Sequence, residues 1–201
     1  MTSIYSIGHS NHDTETFLTL LRANGIEVLV DVRSQPYTKY AAHFSQGPLK
    51  DAVVGAGIKY LFLGKELGGR PIDDAFYDAE GRVYYDRVAV SPSFLEGIVR
   101  LENGISRFRV AMLCAEEDPT ACHRRLLVGR VLEERGVTVV HIRGDGRVQL
   151  EQTLRNEEES LTNKSQLSLF AAAELPKPAW KSVHPVRPAL LAYAADSQAR
   201  P

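Results

Sequence analysis

An alternation of apolar runs with an amphipathic stretch, between residues 108 and 142, constrains the fold of this chain most. The first run, Val110 to Leu113, ends at Cys114, and the second is Val137 to Ile142. The stretch between them has the apolar spacing of an amphipathic helix. A strand, a loop, a helix and a further strand in this order predict two parallel strands of one sheet.

The same alternation runs through the preceding hundred residues. Short apolar runs at 4–7, 27–32 and 58–63 predict three more strands. Cap signals predict helices that begin at residue 13 or 14, at residue 48, at Pro92 and at Asp118-Pro119, with Asn103-Gly104 ending the third. We therefore predict an α/β fold with a mainly parallel sheet and helices on both faces, a Rossmann-like or flavodoxin-like three-layer sandwich.

Composition divides the chain into a folded part and a tail. Its 201 residues, 44% of them hydrophobic, suffice for one domain of ordinary size. The part beyond residue 155 is rich in Ala, Pro, Ser and charged residues and poor in bulky apolar ones. We predict an α/β domain over residues 1–155 and a largely disordered tail over residues 156–201.

Charge and cysteine content exclude several classes of protein. The net charge is −1 and neither part of the chain is a basic block, so charge alone does not indicate nonspecific nucleic-acid binding. Two cysteines do not make a disulfide framework. No apolar run approaches membrane-spanning length, and the first residues are not typical of a signal peptide. A cytoplasmic protein with reduced thiols and no membrane partner is expected.

Polar side chains gather at the predicted carboxyl ends of three strands. Carboxyl ends of parallel strands meet at one edge of a sheet, where ligands bind in open α/β folds. The candidates at this edge and in the glycine-bearing loop after the third strand are His9, Ser10, Asp31, Arg33, Gly68, Gly69, Cys114, Glu116, Cys122, His123 and Arg124. Their density predicts a ligand-binding or catalytic site.

Each acid and base of this set has a functional and a structural interpretation. Asp31 and Glu116 are candidate general acids or bases, but Asp31 could equally form an ion pair with Arg33 that orders the loop. His9 could move a proton or tie down its own loop by a backbone hydrogen bond. Arg33 and Arg124 are candidate phosphate ligands, Arg124 because it follows a predicted helix N-terminus.

The cysteines could be reactive or simply buried. Cys114 is a candidate nucleophile, although an isolated cysteine is more often a small apolar core residue. We predict Cys122 in the first turn of a helix, where the helix dipole and Arg124 would lower its pKa. A metal site of Cys114, Cys122, His123 and His9 is conceivable, but neighbouring helical residues point about 100° apart, so Cys122 and His123 suit one ion poorly, and the spacing matches no standard zinc pattern. A redox pair of Cys114 and Cys122 is disfavoured as well, because the spacing is not Cys-x-x-Cys. No metal and no other cofactor is predicted.

Four motifs together resemble one known family. They are IGHSN at 7–11, LVDVRSQP at 29–36, KYLFLGKELGGRP at 59–71 and MLCAEEDPTACHR at 112–124. In this order they are similar to the domain-of-unknown-function family 488 (DUF488), over about residues 4 to 155. The resemblance implies an α/β domain without an assigned reaction, and it implies that the strand-end residues, with Pro36, are shared family positions.

A second and weaker likeness is to rhodanese-type sulfurtransferases. A DVR sequence at one strand end and Cys114 at another resemble that pattern. The loop AEEDPTACHR departs from it, because it is acidic and lacks glycine. Carboxylates beside Cys114 are expected to raise its pKa, which would disfavour persulfide chemistry.

The tail contains one apolar island, QLSLF at 166–170. It resembles the short peptide with which bacterial polymerases and repair proteins bind the replicative sliding clamp. Leu167, Leu169 and Phe170 would fill an apolar groove, and Gln166 would add polar specificity. The same three apolar side chains could instead pack on the domain.

Three functions are consistent with these patterns. The first is an enzyme acting on a nucleotide or nucleic acid, possibly in DNA repair, with Asp31 and Glu116 as acid and base and Cys122 with His123 as the reactive pair. The second is a noncatalytic module that binds a nucleotide or another anion. The third is a thiol or sulfur-transfer enzyme that uses Cys114 or Cys122.

Overall fold

A six-stranded sheet forms the centre of the computed structural model, which describes residues 2–165 and 179–187. Its strands are β1 (Ser3–Gly8), β2 (Val28–Asp31), β3 (Lys59–Phe62), β4 (Val110–Cys114), β5 (Thr138–Ile142) and β6 (Val148–Leu150). Their spatial order is β3-β2-β4-β1-β5-β6. All neighbours are parallel except β5 and β6. The edge that joins the carboxyl ends of β2, β4 and β1 is therefore continuous, as the sequence predicts.

Helices cover both faces of this sheet. They are α1 (Thr14–Ala23), α2 (Gln46–Gly55), α3 (Gly64–Leu67), α4 (Tyr85–Val88), α5 (Pro92–Ile105), α6 (Arg130–Glu134) and α7 (Glu151–Ser165), with a π-helix over Arg124–Gly129 before α6 and 3₁₀ turns at Ala42–Phe44 and Asp74–Phe76. Asp13 caps α1 through a 2.7 Å hydrogen bond from the Thr16 amide. The predicted fold class is confirmed.

Alternate residues of each central strand divide the core into two layers. On β4, Ala111 and Leu113 face a layer that includes Phe17 of α1 and Leu49 of α2. The intervening Met112 faces the opposite layer, which α5, the π-helix and α6 complete. Successive strand side chains point to opposite faces, so a strand that is buried on both sides reads as a continuous apolar run.

Several predicted helix boundaries are wrong. The helix expected to begin at Asp118-Pro119 begins at His123, because 119–122 form a turn in which the Cys122 amide donates to the Pro119 carbonyl at 3.1 Å. Helix α5 continues through Asn103 and Gly104 to Ile105. Residues 64–67, expected to be a loop, form the short α3.

The C-terminal part contains two described segments. Helix α7 crosses residue 155 and continues to Ser165, whereas the predicted domain boundary at that residue stays a prediction. Residues 179–187, here called the strap, pack on the domain: the Trp180 indole donates to the Leu126 carbonyl at 2.8 Å. The QLSLF peptide lies outside the described residues, so its clamp-binding role also stays a prediction. None of the helices among the described residues has both the length and the apolar character needed to span a membrane.

Candidate functional site

A cleft of about 350 Å³ opens at the carboxyl ends of β2 and β4. It is lined by Arg33, Ser34, Gln35, Tyr37, Gly69, Arg70, Tyr85, Cys114, Ala115, Glu116, Ala121, His123, Ser182, His184, Pro185 and Val186. Of the residues predicted for the site, this set contains Arg33, Gly69, Cys114, Glu116 and His123. The other predicted residues do not line it.

Two cysteine sulfurs and one histidine nitrogen form a cluster, of which Cys114 and His123 line the cleft and Cys122 is buried. The Sγ of Cys114 lies 3.8 Å from Nδ1 of His123, and the Sγ of Cys122 lies 3.9 Å from the same atom. All three atoms lie within 4.8 Å of one another. The expectation that Cys122 and His123 point apart is therefore wrong. It assumed a regular helix at Cys122, which instead belongs to the preceding turn.

The ring of His123 is fixed from two sides. Its Nε2 lies 3.0 Å from the Val32 carbonyl oxygen. Because a carbonyl oxygen only accepts hydrogen bonds, Nε2 must carry a hydrogen, and Nδ1 is left facing the sulfurs. The backbone of Gly69 lies against the ring, where a methyl group would stand 2.7 Å from Cγ of His123. The glycine predicted to approach a ligand thus approaches a site residue.

The two thiols differ in acidity. The pKa of Cys114 is held well below its ordinary value, first by the hydrogen bond from Cys122 and then by the adjacent His123, against the opposing effect of burial. Burial raises the pKa of Cys122, and the Cys114 sulfur raises it further. Burial alone would lower the pKa of His123, but Cys114 raises it. The site favours a Cys114 thiolate beside a His123 imidazolium.

This distribution of charge reverses two expectations. The pKa of Cys122 is raised, because burial and the adjacent Cys114 sulfur outweigh the expected effects of the helix dipole and Arg124. The acidic loop does not raise the pKa of Cys114, because the carboxylate of Glu117 is directed to Arg143, with both oxygens 2.9 Å from guanidinium nitrogens. Glu116 is exposed and lines the cleft.

Asp31 and Arg33 form a buried ion pair. Two guanidinium nitrogens of Arg33 lie 2.9 and 2.6 Å from the two carboxylate oxygens of Asp31. The Tyr60 hydroxyl donates to the same carboxylate at 2.7 Å, and a third nitrogen of Arg33 donates to the Phe44 carbonyl at 2.8 Å. Of the two alternatives open in the sequence, these contacts favour a pair that orders the loop after β2.

Arg124 also has an internal role in this geometry. Only 1% of its surface is exposed, and its guanidinium donates to the carbonyl oxygens of Glu116 and Glu117 at 2.5 and 2.6 Å. Its Nε lies 3.3 Å from the Ser6 hydroxyl. The side chain expected to bind an anion thus holds the loop that follows Cys114, behind the cleft.

His9 and Ser10 support the end of β4. Their amides donate to the Cys114 and Ala115 carbonyls at 3.0 and 2.9 Å. The His9 ring stacks on Phe44 and its Nδ1 lies 2.9 Å from the Ser10 carbonyl oxygen, while burial lowers its pKa. Ser10 has a φ of 48°, a conformation that is uncommon for a residue other than glycine. Gly68 packs against Ser34. His9, Ser10 and Gly68 do not line the cleft.

The strap forms one wall of the cleft, which the sequence does not predict. Ser182 exchanges two hydrogen bonds with the backbone of Val83, at 2.9 and 3.0 Å, and the Val186 amide donates to Gly81 at 3.0 Å. These contacts bring Ser182, His184, Pro185 and Val186 to the cleft. The sequence signal for this contact is Trp180, a bulky aromatic residue in a region otherwise poor in apolar residues. Tyr85, also missed, is 2% exposed and burial raises its pKa.

A comparison with known protein families gives a match. The family model described as Domain of unknown function DUF488 matches residues 13–131. The chain belongs to this family. The matched part contains Arg33, Gly69, Cys114, Cys122 and His123, whereas β1, β5, β6, α7 and the strap lie outside it. No curated protein and no solved structure matches the chain.

Proposed function

We propose that this chain is a thiol-dependent enzyme in which Cys114 is the nucleophile and Cys122 the second thiol of a dithiol–disulfide exchange. One observation carries the proposal: both sulfurs lie within 3.9 Å of the same nitrogen of His123, and Cys114 and His123 line an open cleft. A thiolate is the reactive form of cysteine, and an adjacent histidine favours it.

His123 accounts for the proton movements of this reaction. With its hydrogen on Nε2, the neutral ring accepts the Cys114 proton on Nδ1. The thiolate then attacks one sulfur of a disulfide substrate, a sulfur–sulfur bond forms at Cys114, and the leaving thiolate takes the proton from Nδ1.

Cys122 completes the exchange through the same nitrogen. Its proton passes to Nδ1, and its thiolate attacks the Sγ of Cys114. The second substrate thiolate leaves and takes that proton. The substrate disulfide is reduced to two thiols, and Cys114 and Cys122 are oxidised to a disulfide. A thiol reductant must then restore the dithiol by the reverse exchange.

A nucleotide or nucleic-acid substrate is the second candidate, and the contacts support it less. Both arginines expected to bind phosphate already have internal partners, Asp31 for Arg33 and two carbonyls for Arg124. Arg70 is the observation in its favour. Arg70 lines the cleft, and among the described residues its guanidinium makes no hydrogen bond or ion pair, whereas its backbone amide donates to Ser34. An anionic group on a substrate of either class could contact it.

A model aromatic disulfide that releases a coloured thiolate tests the proposal. Reduced wild-type chain should release both thiolates quickly and end with a Cys114–Cys122 disulfide, seen by mass spectrometry. Cys122→Ser should release one and retain the other as a mixed disulfide on Cys114. Cys114→Ser should lose the fast phase.

A matched histidine pair provides the control. His123→Ala should slow the reaction, whereas His43→Ala should not, because His43 is exposed and bonds the His12 carbonyl. Equal rates for Cys114→Ser and wild type would contradict the proposal, as would a lasting mixed disulfide in the wild-type chain.

A further inference from the structure

We propose that Cys114, Cys122 and His123 also form a binding site for one Zn²⁺ ion, with a fourth coordination position open to the cleft. Zinc binding would use the three side chains of the proposed thiol reaction, but it does not depend on that reaction taking place. While the ion is bound, both sulfurs are ligands, so the metal-bound form and the reactive dithiol exclude each other.

The distances between the donor atoms fit a tetrahedral zinc ion. Zn–S and Zn–N bonds of about 2.3 and 2.0 Å at tetrahedral angles place sulfur and nitrogen about 3.5 Å apart. The two observed sulfur–nitrogen distances are 3.8 and 3.9 Å. The two sulfurs lie within 4.8 Å of each other, against about 3.8 Å for two sulfurs on a tetrahedral zinc ion, so side-chain adjustments of up to about 1 Å close the site. Two thiolates and one imidazole are also the donors that zinc prefers over magnesium or calcium.

The orientation of His123 is that of a metal ligand. The carbonyl of Val32 takes the hydrogen of Nε2 at 3.0 Å, which leaves the lone pair of Nδ1 directed at the sulfurs. A backbone carbonyl that holds the other ring nitrogen is the usual support of a zinc-bound histidine. The backbone of Gly69, which also lines the cleft, lies against the ring and restricts its rotation.

The elements that carry the ligands are firmly held. Cys114 ends β4, which is hydrogen-bonded between β1 and β2. Arg124 bonds the carbonyls of Glu116 and Glu117 and so fixes the loop after Cys114. A site whose ligands are already oriented loses little conformational freedom when an ion binds.

The fourth position distinguishes this site from a purely structural one. Among the described residues, the donor cluster contains three side chains and no fourth cysteine, histidine or carboxylate. Cys114 and His123 both line the cleft, so an ion between them would be reached from it. Three protein ligands with an open position is the arrangement of zinc sites that bind water or an exogenous ligand.

Cobalt substitution tests the site directly. The reduced, full-length chain is freed of metal with a chelator and titrated with Co²⁺. We expect one ion per chain, a sulfur-to-cobalt charge-transfer band and the intense visible bands of tetrahedral cobalt, all lost when Zn²⁺ is added. Cys122→Ser should lose the charge-transfer intensity, whereas His184→Ala should keep it, since His184 lines the cleft outside the cluster.

Thermal unfolding covers the case in which a variant folds poorly. Zn²⁺ should raise the unfolding temperature of the wild-type chain and of His184→Ala, but not that of a folded Cys122→Ser, because ligands stabilise only the state that binds them. Cobalt spectra that are octahedral, or equal in wild type and Cys122→Ser, would overturn the zinc site.

The two proposals fail in different ways. A metal-free chain that exchanges disulfides but binds no Co²⁺ or Zn²⁺ would remove the zinc site and leave the thiol reaction. A chain that binds Zn²⁺ through these residues but whose metal-free form does not react with disulfides would remove the thiol reaction and leave the metal site.

Discussion

A methyl group on Gly69 would lie 2.7 Å from Cγ of His123. Real Cβ atoms essentially never come this close to a neighbour, and the neighbour here is a ring held at 3.0 Å by the Val32 carbonyl. The glycine after α3 and the histidine before the π-helix are therefore a matched pair. The small size of one determines the position of the other.

Gly69→Ala should accordingly damage the site. We expect a destabilisation of about 1–3 kcal/mol, typical of overpacking, together with slower disulfide exchange at Cys114 because His123 is displaced. Urea unfolding and the exchange rate measure the two effects. Gly55→Ala is the control. A methyl group at this position meets nothing within 4 Å, and the substitution replaces a glycine that weakens helix α2. Unchanged kinetics in Gly69→Ala would contradict the assigned role of the pair.

Arg124→Met should unfold more easily than any surface arginine variant. It leaves the carbonyls of Glu116 and Glu117 without their donors, at a cost of about 3 kcal/mol or more. Arg70→Met should stay within about 0.5 kcal/mol of wild type, since Arg70 is exposed. Chemical denaturation of both variants checks this. If the two behave alike, Arg124 does not hold the loop.

The sequence makes Asp31 and Glu116 equal candidates for acid–base chemistry, but in the structure Asp31 is buried in an ion pair and Glu116 is exposed. Asp31→Asn removes the charge of the one carboxylate that pairs with buried Arg33 among the described residues, so we expect a loss of about 3–5 kcal/mol in the free energy of unfolding. Glu116→Gln is exposed and should change it by less than about 0.5 kcal/mol. Calorimetry of the two variants is decisive, and a fully stable Asp31→Asn chain would show that the ion pair is dispensable.

Acid should destabilise the fold through His141 and Glu151. Burial lowers the pKa of His141 below its ordinary 6.5, so the unfolded chain binds this proton first and stability falls as the pH drops through that value. Burial would raise the pKa of Glu151, but His141 and Arg125 lower it from 4.5 to about 2, so its contribution is present above pH 4.5 and disappears towards pH 2.

The unfolding free energy measured from pH 7 to pH 2 tests both groups. Glu151→Gln should be less stable at neutral pH and should show a flatter curve between pH 4.5 and pH 2. A variant curve parallel to that of wild type would mean that Glu151 does not titrate as described. His141 links this region to the site, since its Nδ1 lies 2.7 Å from Ser6 and Ser6 in turn bonds Arg124.

The sheet and its functional edge could be predicted because burial on both faces leaves a plain signal. Continuous apolar runs such as Val110–Cys114 have few alternatives to a central strand. Parallel strands that alternate with helices bring their carboxyl ends together whatever the details of packing. The sequence alone therefore predicts that Cys114, Glu116 and His123 share one edge of the sheet.

The partners of the charged residues could not be predicted in the same way. Whether Arg33 contacts a ligand or Asp31 depends on rotamers and on distant groups such as Tyr60, which lies 29 positions after Asp31 and donates to its carboxylate. The contact between Cys122 and His123 depends on a turn at 119–122 in place of a helix. The strap reaches the cleft through backbone bonds to Gly81 and Val83, which leave almost no mark in its own sequence.

The π-helix at Arg124–Gly129 makes the number of residues in this segment critical for the contacts on either side of it. A π-helical turn accommodates one residue more than an α-helical turn, and here it lets adjacent arginines serve different regions: Arg124 the loop after Cys114, Arg125 the carboxylates of Glu151 and Glu158. Deleting one residue would restore a regular helix and rotate one end by about 100° against the other. The segment therefore cannot be shortened by one residue without separating His123 from the sulfurs or Arg125 from α7.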